Sequence, residues 1–194
     1  MTSKPVFWLI AGPNGVGKTT YARAHLATVA GTVDFVNLDE IARGLSPLAP
    51  ERGRVASGRI ALARLREFFA ASATCATETT LSGTAQKGLI AEAKQAGFAV
   101  GILYFAVRAP ETCIVRVARR VAEGGHDVPE TDLRRRFARS LDNLPGYLAL
   151  ADMWRLFDSD NGRPRIVAEK HARGIEIVDP ASFNTLPPPI PTVA

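Results

Sequence analysis

Gly12-Pro13-Asn14-Gly15-Val16-Gly17-Lys18-Thr19 fits the pattern G-x-x-x-x-G-K-[ST]. The requirements of triphosphate binding meet in this stretch. Glycines let the backbone curl so that successive N–H groups face one anion. The lysine ammonium reaches the β- and γ-phosphates, and the threonine hydroxyl can hold Mg²⁺. Upstream, Val6–Ala11 is an apolar run that reads as a buried strand. Downstream, residues 17–29 read as a helix. Strand, loop and helix in that order are the context that separates a working loop from a chance match. Gly12, Pro13, Asn14, Gly15, Val16, Gly17, Lys18, Thr19 and Thr20 are therefore the candidate nucleotide contacts, with Thr19 the candidate Mg²⁺ ligand. The glycines do not fit the dinucleotide fingerprint. They are spaced G-x-x-G-x-G rather than G-x-G-x-x-G, although Asp39 lies at a distance suited to a ribose contact.

Outward from the loop, apolar runs and helical patterns alternate. Phe35–Leu38 is a second strand that closes on Asp39-Glu40. Residues 51–71 show helical spacing in Val55, Ile60, Leu62, Leu65, Phe68 and Phe69. Cys75–Thr79 is a third strand carrying Glu78 at its end, and Ala85–Gln95 is a helix stopped near Gly97. Phe98–Val107 is the longest β-favouring run and predicts a central strand. Pro110 opens a helix at its first turn, with Glu111 placed for the helix dipole, and Gly124-Gly125 ends it. A short loop, His126 to Pro129, leads to a helix from Glu130 that should break at Asn143-Leu144-Pro145-Gly146. Arg155–Phe157, Arg165–Glu169 and Ile175–Val178 read as late strands. Alternation of this kind predicts an α/β class protein: a P-loop NTPase three-layer fold, a mostly parallel sheet with helices on both faces. Residues 1–185 form one expected domain with a lid over about 116–140, and the proline-dense residues 186–194 form a tail.

The chain has 194 residues, enough for one domain with a substantial core. No apolar stretch is long enough to span a bilayer, and no basic-then-apolar leader is present. Cys75 and Cys113 form neither a disulfide framework nor a metal spacing. The expectation is a cytoplasmic protein with no membrane partner. A net charge of +5 suits anionic ligands, and alone it does not separate nucleotides from nucleic acid.

In parallel sheets ligands bind at the carboxyl ends of strands, where the loop, Asp39 and Glu78 all fall. Asp39 reads as a helix cap, as an Mg²⁺ partner, or as the base that deprotonates an acceptor hydroxyl. Glu78 reads as a solvated loop acid, a substrate anchor or an Mg²⁺ partner. Two carboxylates beside a triphosphate require a cation between them. Arg116, Arg119 and Arg120 precede the glycine pair, and Arg134, Arg135, Arg136 and Arg139 follow it. Most read as solvated helix surface. A nucleic-acid patch lacks the aromatic side chains needed for base stacking, since only Phe137 lies nearby. A glycine-hinged lid would bring arginines to a transferring phosphoryl group, whose chemistry depends on positioning and charge. His126 sits in that loop and reads more simply as structural than as catalytic.

The chain resembles the zeta-toxin-like kinases. The matching pieces are residues 11–20, Asn37-Leu38-Asp39-Glu40-Ile41-Ala42, Glu78-Thr79-Thr80-Leu81-Ser82-Gly83, and residues 120–137. The resemblance implies ATP- and Mg²⁺-dependent phosphorylation of a hydroxyl on a UDP-amino sugar, typically UDP-N-acetylglucosamine. In toxin members it also implies a small helical antitoxin over the ATP site. Carried over by motif, Lys18 and Thr19 hold ATP and Mg²⁺, and Asp39 is the hydroxyl base. Glu78 and Thr79 lie on the substrate or metal side, and Arg120 and Arg136 stabilise charge. The rivals are a kinase of another small hydroxyl acceptor, a regulatory or nucleic-acid-associated ATPase, and an interaction protein with a structural nucleotide.

Overall fold

The computed structural model describes residues 4–125 and 127–187. His126 and residues 188–194 of the expected tail lie outside them. The strands are β1 (Val6–Ala11), β2 (Phe35–Val36), β3 (Cys75–Thr79), β4 (Ala99–Ala106), β5 (Met153–Asp158), β6 (Arg165–His171) and β7 (Gly174–Ile177). The helices are α1 (Lys18–Ala30), α2 (Leu38–Leu45), α3 (Arg54–Ala70), α4 (Ala85–Gln95), α5 (Pro110–Ala122), α6 (Glu130–Leu150) and α7 (Pro180–Phe183). A 3₁₀ turn, Pro50–Gly53, leads into α3.

The strand order is β2-β3-β1-β4-β5-β6-β7. The pairs from β2 to β5 are parallel, because helices return the chain between them. The short connections after β5 and β6 make the last two pairs antiparallel. This is the P-loop NTPase three-layer fold. Strand β1 lies between β3 and β4, so the loop after Ala11 emerges beside Glu78 and Thr79 at one sheet edge.

The period of two along β1 sorts its side chains between two layers. Phe7, Leu9 and Ala11 join the larger apolar cluster with α3, α4 and the end of α6. Trp8 and Ile10 join the second cluster with Leu26 and Ala30 of α1 and Phe137 and Leu141 of α6. Trp8 pairs in register with Gly101 on β4. A Cβ on Gly101 would stand 2.3 Å from Cε3 and 2.4 Å from Cζ3 of the Trp8 indole. Gly101→Ala should therefore destabilise the fold by about 1–3 kcal/mol, the usual scale for overpacking. A lower urea midpoint at unchanged slope would register it; a wild-type midpoint would show that the indole can move.

Several elements differ from the sequence reading. Strand β2 ends at Val36, and Asp39 lies in the first turn of α2 rather than closing a strand. On α3 the buried row is Ser57, Ala61, Leu65 and Phe68, spaced to face the sheet, while Val55 and Ile60 fall off that row and are exposed. The predicted break at residues 143–146 is absent, and α6 runs through Pro145 to Leu150. Proline removes one helical hydrogen bond. Burial of Leu144, Tyr147 and Leu148 offsets it, and Tyr147 Oη donates to Gly83 O at 2.7 Å. Helix α7 is an additional element beyond the apolar pattern; the Asp179 carboxylate caps it by accepting from Ser182 N–H. Leu186, assigned to the tail, is buried in the larger cluster. Among the described residues no helix is long and apolar enough to cross a membrane.

Candidate active site

Gly17 caps α1 at φ 95°, and Gly15 sits at φ 79°. Both are left-handed conformations that side chains resist. The turn they form opens the N-terminus of α1 toward the loop, where backbone N–H groups favour an anion. Lys18 is 5% exposed, and its Nζ donates to Gly12 O and Pro13 O at 2.8 Å each. Burial pushes the Lys18 pKa down from its ordinary value; Glu78, followed by Cys113 and Asp39, pushes it back up. Glu78 Oε1 stands 3.7 Å from that ammonium.

Glu78 is the penultimate residue of β3, next to β1. Its Oε2 accepts from Thr19 Oγ1 at 2.7 Å and from Asn37 Nδ2 at 3.0 Å. Asn37 is a residue the sequence reading quoted but gave no role. Its Oδ1 caps α2 by accepting the N–H groups of Asp39 and Glu40 at 2.9 and 3.1 Å. One side chain thus joins the loop acid to the turn that carries Asp39. The signal was present as an N-cap residue type between a strand and a helix. Its link to Glu78, distant in sequence, was not legible.

A cavity of about 720 Å³ opens beside the loop. Asn14, Thr19 and Thr20 line one wall, Asp39 another, and Arg120 and Arg136 a third. Glu40 also faces it, already paired to Arg23 at 2.9 Å and Arg43 at 3.8 Å. Asp39 makes no ion pair with the described residues. Thr79 does not line the cavity; its Oγ1 accepts from Leu81 N–H at 3.1 Å and is committed to the turn after β3.

The helices α5 and α6 are held together by Val117, Val128 and Leu133. Their arginines separate by partner. Arg119 pairs with Glu123, Arg134 with Glu111 and Glu130, and Arg135 with Asp132, all on exposed surface. Arg136 is 23% exposed, faces the cavity and stands 3.5 Å from Asp132. Arg116 turns away from the cavity and donates to Ser159 O and Asp160 O at 2.8 and 2.7 Å. There it borders a second cavity of about 420 Å³, together with Gly15, Tyr21, His25 and Arg163. Thr20 lines both cavities. Arg116 and Arg120, four residues apart on α5, thus serve two different cavities.

The donor set fits Mg²⁺. Thr19 Oγ1 and the Glu78 carboxylate are hard oxygens 2.7 Å apart. Among the described residues no cluster of three or more His, Cys, Asp or Glu could cage a metal. Magnesium beside a nucleotide takes one or two protein oxygens, with the remaining ligands from phosphate and water.

Comparison with known proteins agrees with this architecture. An uncharacterized protein of Haemophilus influenzae is 28% identical over 137 residues, covering 71% of this chain and 94% of its own. A chain of the PezAT chromosomal toxin–antitoxin system of Streptococcus pneumoniae superposes with a TM-score of 0.69 at 17% identity. It covers 87% of this chain and 72% of that one. The AvrRxo1-ORF1:-ORF2 complex with ATP gives 0.69 at 19% identity, covering 94% of this chain and 63% of that one. This chain therefore spans less than two thirds of that protein. Such likeness shows a shared fold. A family model described as an AAA domain (AAA_33) matches residues 7–141. That match takes in most of β1, the loop, Asp39, Glu78, Arg120 and Arg136, and the chain belongs to this AAA domain family of P-loop proteins.

Proposed function

We propose that the protein is an ATP-dependent small-molecule kinase of the zeta-toxin-like type. The favoured acceptor is a UDP-amino sugar such as UDP-N-acetylglucosamine. The observation that carries the reading is the shared cavity of loop, Asp39, Arg120 and Arg136. A hydrolase needs a residue to position water. A kinase needs a base facing the phosphoryl group and room for an acceptor, and this cavity supports the second.

In this reading the loop N–H groups and Lys18 hold the triphosphate, and Thr19 with Glu78 behind it holds Mg²⁺. The ion supplies charge neutralisation at the phosphate oxygens. Asp39 accepts the proton of the acceptor hydroxyl as its oxygen forms the new bond to the γ-phosphorus. The bond from that phosphorus to the bridging oxygen breaks, and the electron pair leaves with ADP. Arg120 and Arg136 stabilise the charge on the moving phosphoryl. The α5–α6 hairpin serves as the lid. A helical antitoxin is the proposed protein partner, supported by the PezAT toxin–antitoxin system and the AvrRxo1-ORF1:-ORF2 complex among the structural relatives.

The reading is tested by incubating the protein with ATP, Mg²⁺ and a panel of nucleotide sugars. Mass spectrometry should find one added phosphate on an acceptor, with matching ADP. ADP released at a rate independent of every acceptor, with no phosphorylated product, would sink the kinase reading and favour an ATPase.

A further inference from the structure

Helix α5 ends in a Schellman turn. Gly124 takes φ 84°, its N–H donates to Val121 O at 2.9 Å, and Gly125 N–H donates to Arg120 O at 2.8 Å. This motif needs glycine at the left-handed position, which is Gly124. The next position carries no such requirement and is often apolar, packing on the residue five before it. Here that earlier residue is Arg120, and the position holds Gly125. A Cβ on Gly125 would stand 2.6 Å from Arg120 Cγ and 2.8 Å from Arg120 O. Neither atom is the free end of a flexible chain. Both Arg120 and Gly125 line the larger cavity.

We propose that Gly125 is a positioning residue for Arg120. Its missing side chain lets the methylene stem of Arg120 lie across the turn, which sets the guanidinium at the cavity wall. Gly124 builds the turn, and Gly125 leaves the space. The inference rests on the reading of Arg120 as a charge-stabilising group.

The test compares Gly125→Ala, Arg120→Ala and the double variant. One readout is kcat and KM for ATP with UDP-N-acetylglucosamine as acceptor. The other is calorimetric affinity for Mg·ADP alone and with aluminium fluoride, which mimics the transferring phosphoryl. Gly125→Ala should lower kcat and the aluminium fluoride enhancement by about tenfold or more, equivalent to about 1.4 kcal/mol. Affinity for Mg·ADP alone should stay within about twofold. The double variant should lose no more kcat or enhancement than Arg120→Ala, since both changes act on transfer through the same guanidinium. Additive losses, or an unaltered enhancement in Gly125→Ala beside a reduced one in Arg120→Ala, would overturn the positioning role. A full enhancement in Arg120→Ala would sink the underlying reading of Arg120. If Gly125→Ala gives no cooperative melt, the close approach to the backbone oxygen of Arg120 governs the position, Gly125 is a structural residue of the turn, and the inference is overturned.

Discussion

Asp39→Asn should lower phosphoryl transfer by roughly 10²–10⁴-fold, the scale of a lost general base. The substitution keeps the size of the side chain, exchanges one acceptor oxygen for a donor, and removes the negative charge together with the ability to take a proton. Asp39 sits in the first turn of α2, fixed by the Asn37 cap, on the wall of the larger cavity. Its neighbour cannot stand in for it, because Glu40 is already engaged by Arg23 and Arg43. Glu40→Gln should accordingly leave kcat within about threefold, inside the spread of surface ion-pair changes. ATP affinity should be unaltered in Asp39→Asn. Rapid-quench single turnovers separate these quantities. Full chemistry in Asp39→Asn would remove it from the base role.

Lys18→Ala should weaken Mg·ATP binding by about 10²-fold, close to 3 kcal/mol and at the upper end for bonds to charged groups. The ammonium is 5% exposed, so its attraction for phosphate acts with little solvent screening. Truncation also strands the carbonyls of Gly12 and Pro13, which now accept from Nζ. Titration calorimetry measures the affinity, and thermal unfolding reports the stranded carbonyls separately. An affinity within twofold of wild type would show that the loop backbone holds the nucleotide without the lysine.

What was legible in the sequence was mostly local. The loop and the bounds of β3 and α4 follow from apolar runs and their punctuation, and these match the structure residue for residue. Features made by contact at a distance were not legible. Asn37 acquires its role only because β3 lies beside β2, bringing Glu78 within 3.0 Å. Arg116 and Arg120 are one helical turn apart, yet the segment after β5 draws one away from the cavity. Pro145 is a breaker in isolation, but buried neighbours on both sides hold its helix together. Thr79 stands in a polar cluster that looks accessible, and only the turn geometry shows its hydroxyl occupied. The acceptor hydroxyl has no local signature of its own. Its chemistry comes from the resemblance to zeta-toxin-like kinases, and the cavity supplies the space.

Pro145 also divides α6 mechanically. Above it, Leu133 packs with Val117 and Val128 of the hairpin, and Arg136 reaches the cavity. Below it, Tyr147 and Leu148 are sunk in the larger cluster, as is Leu144 immediately above it. Asn143 Nδ2 moors this junction to Leu81 O at 2.8 Å, and Tyr147 Oη ties the lower section to Gly83 O. The missing N–H leaves one rung out of the ladder between the two sections, opposite the Leu141 carbonyl. A bend at that rung has one fewer backbone hydrogen bond to strain than a bend elsewhere along α6. Phe137 and Leu141 seat the upper section in the second cluster, so Arg136 is carried on a strut braced against the sheet on both sides of the missing rung.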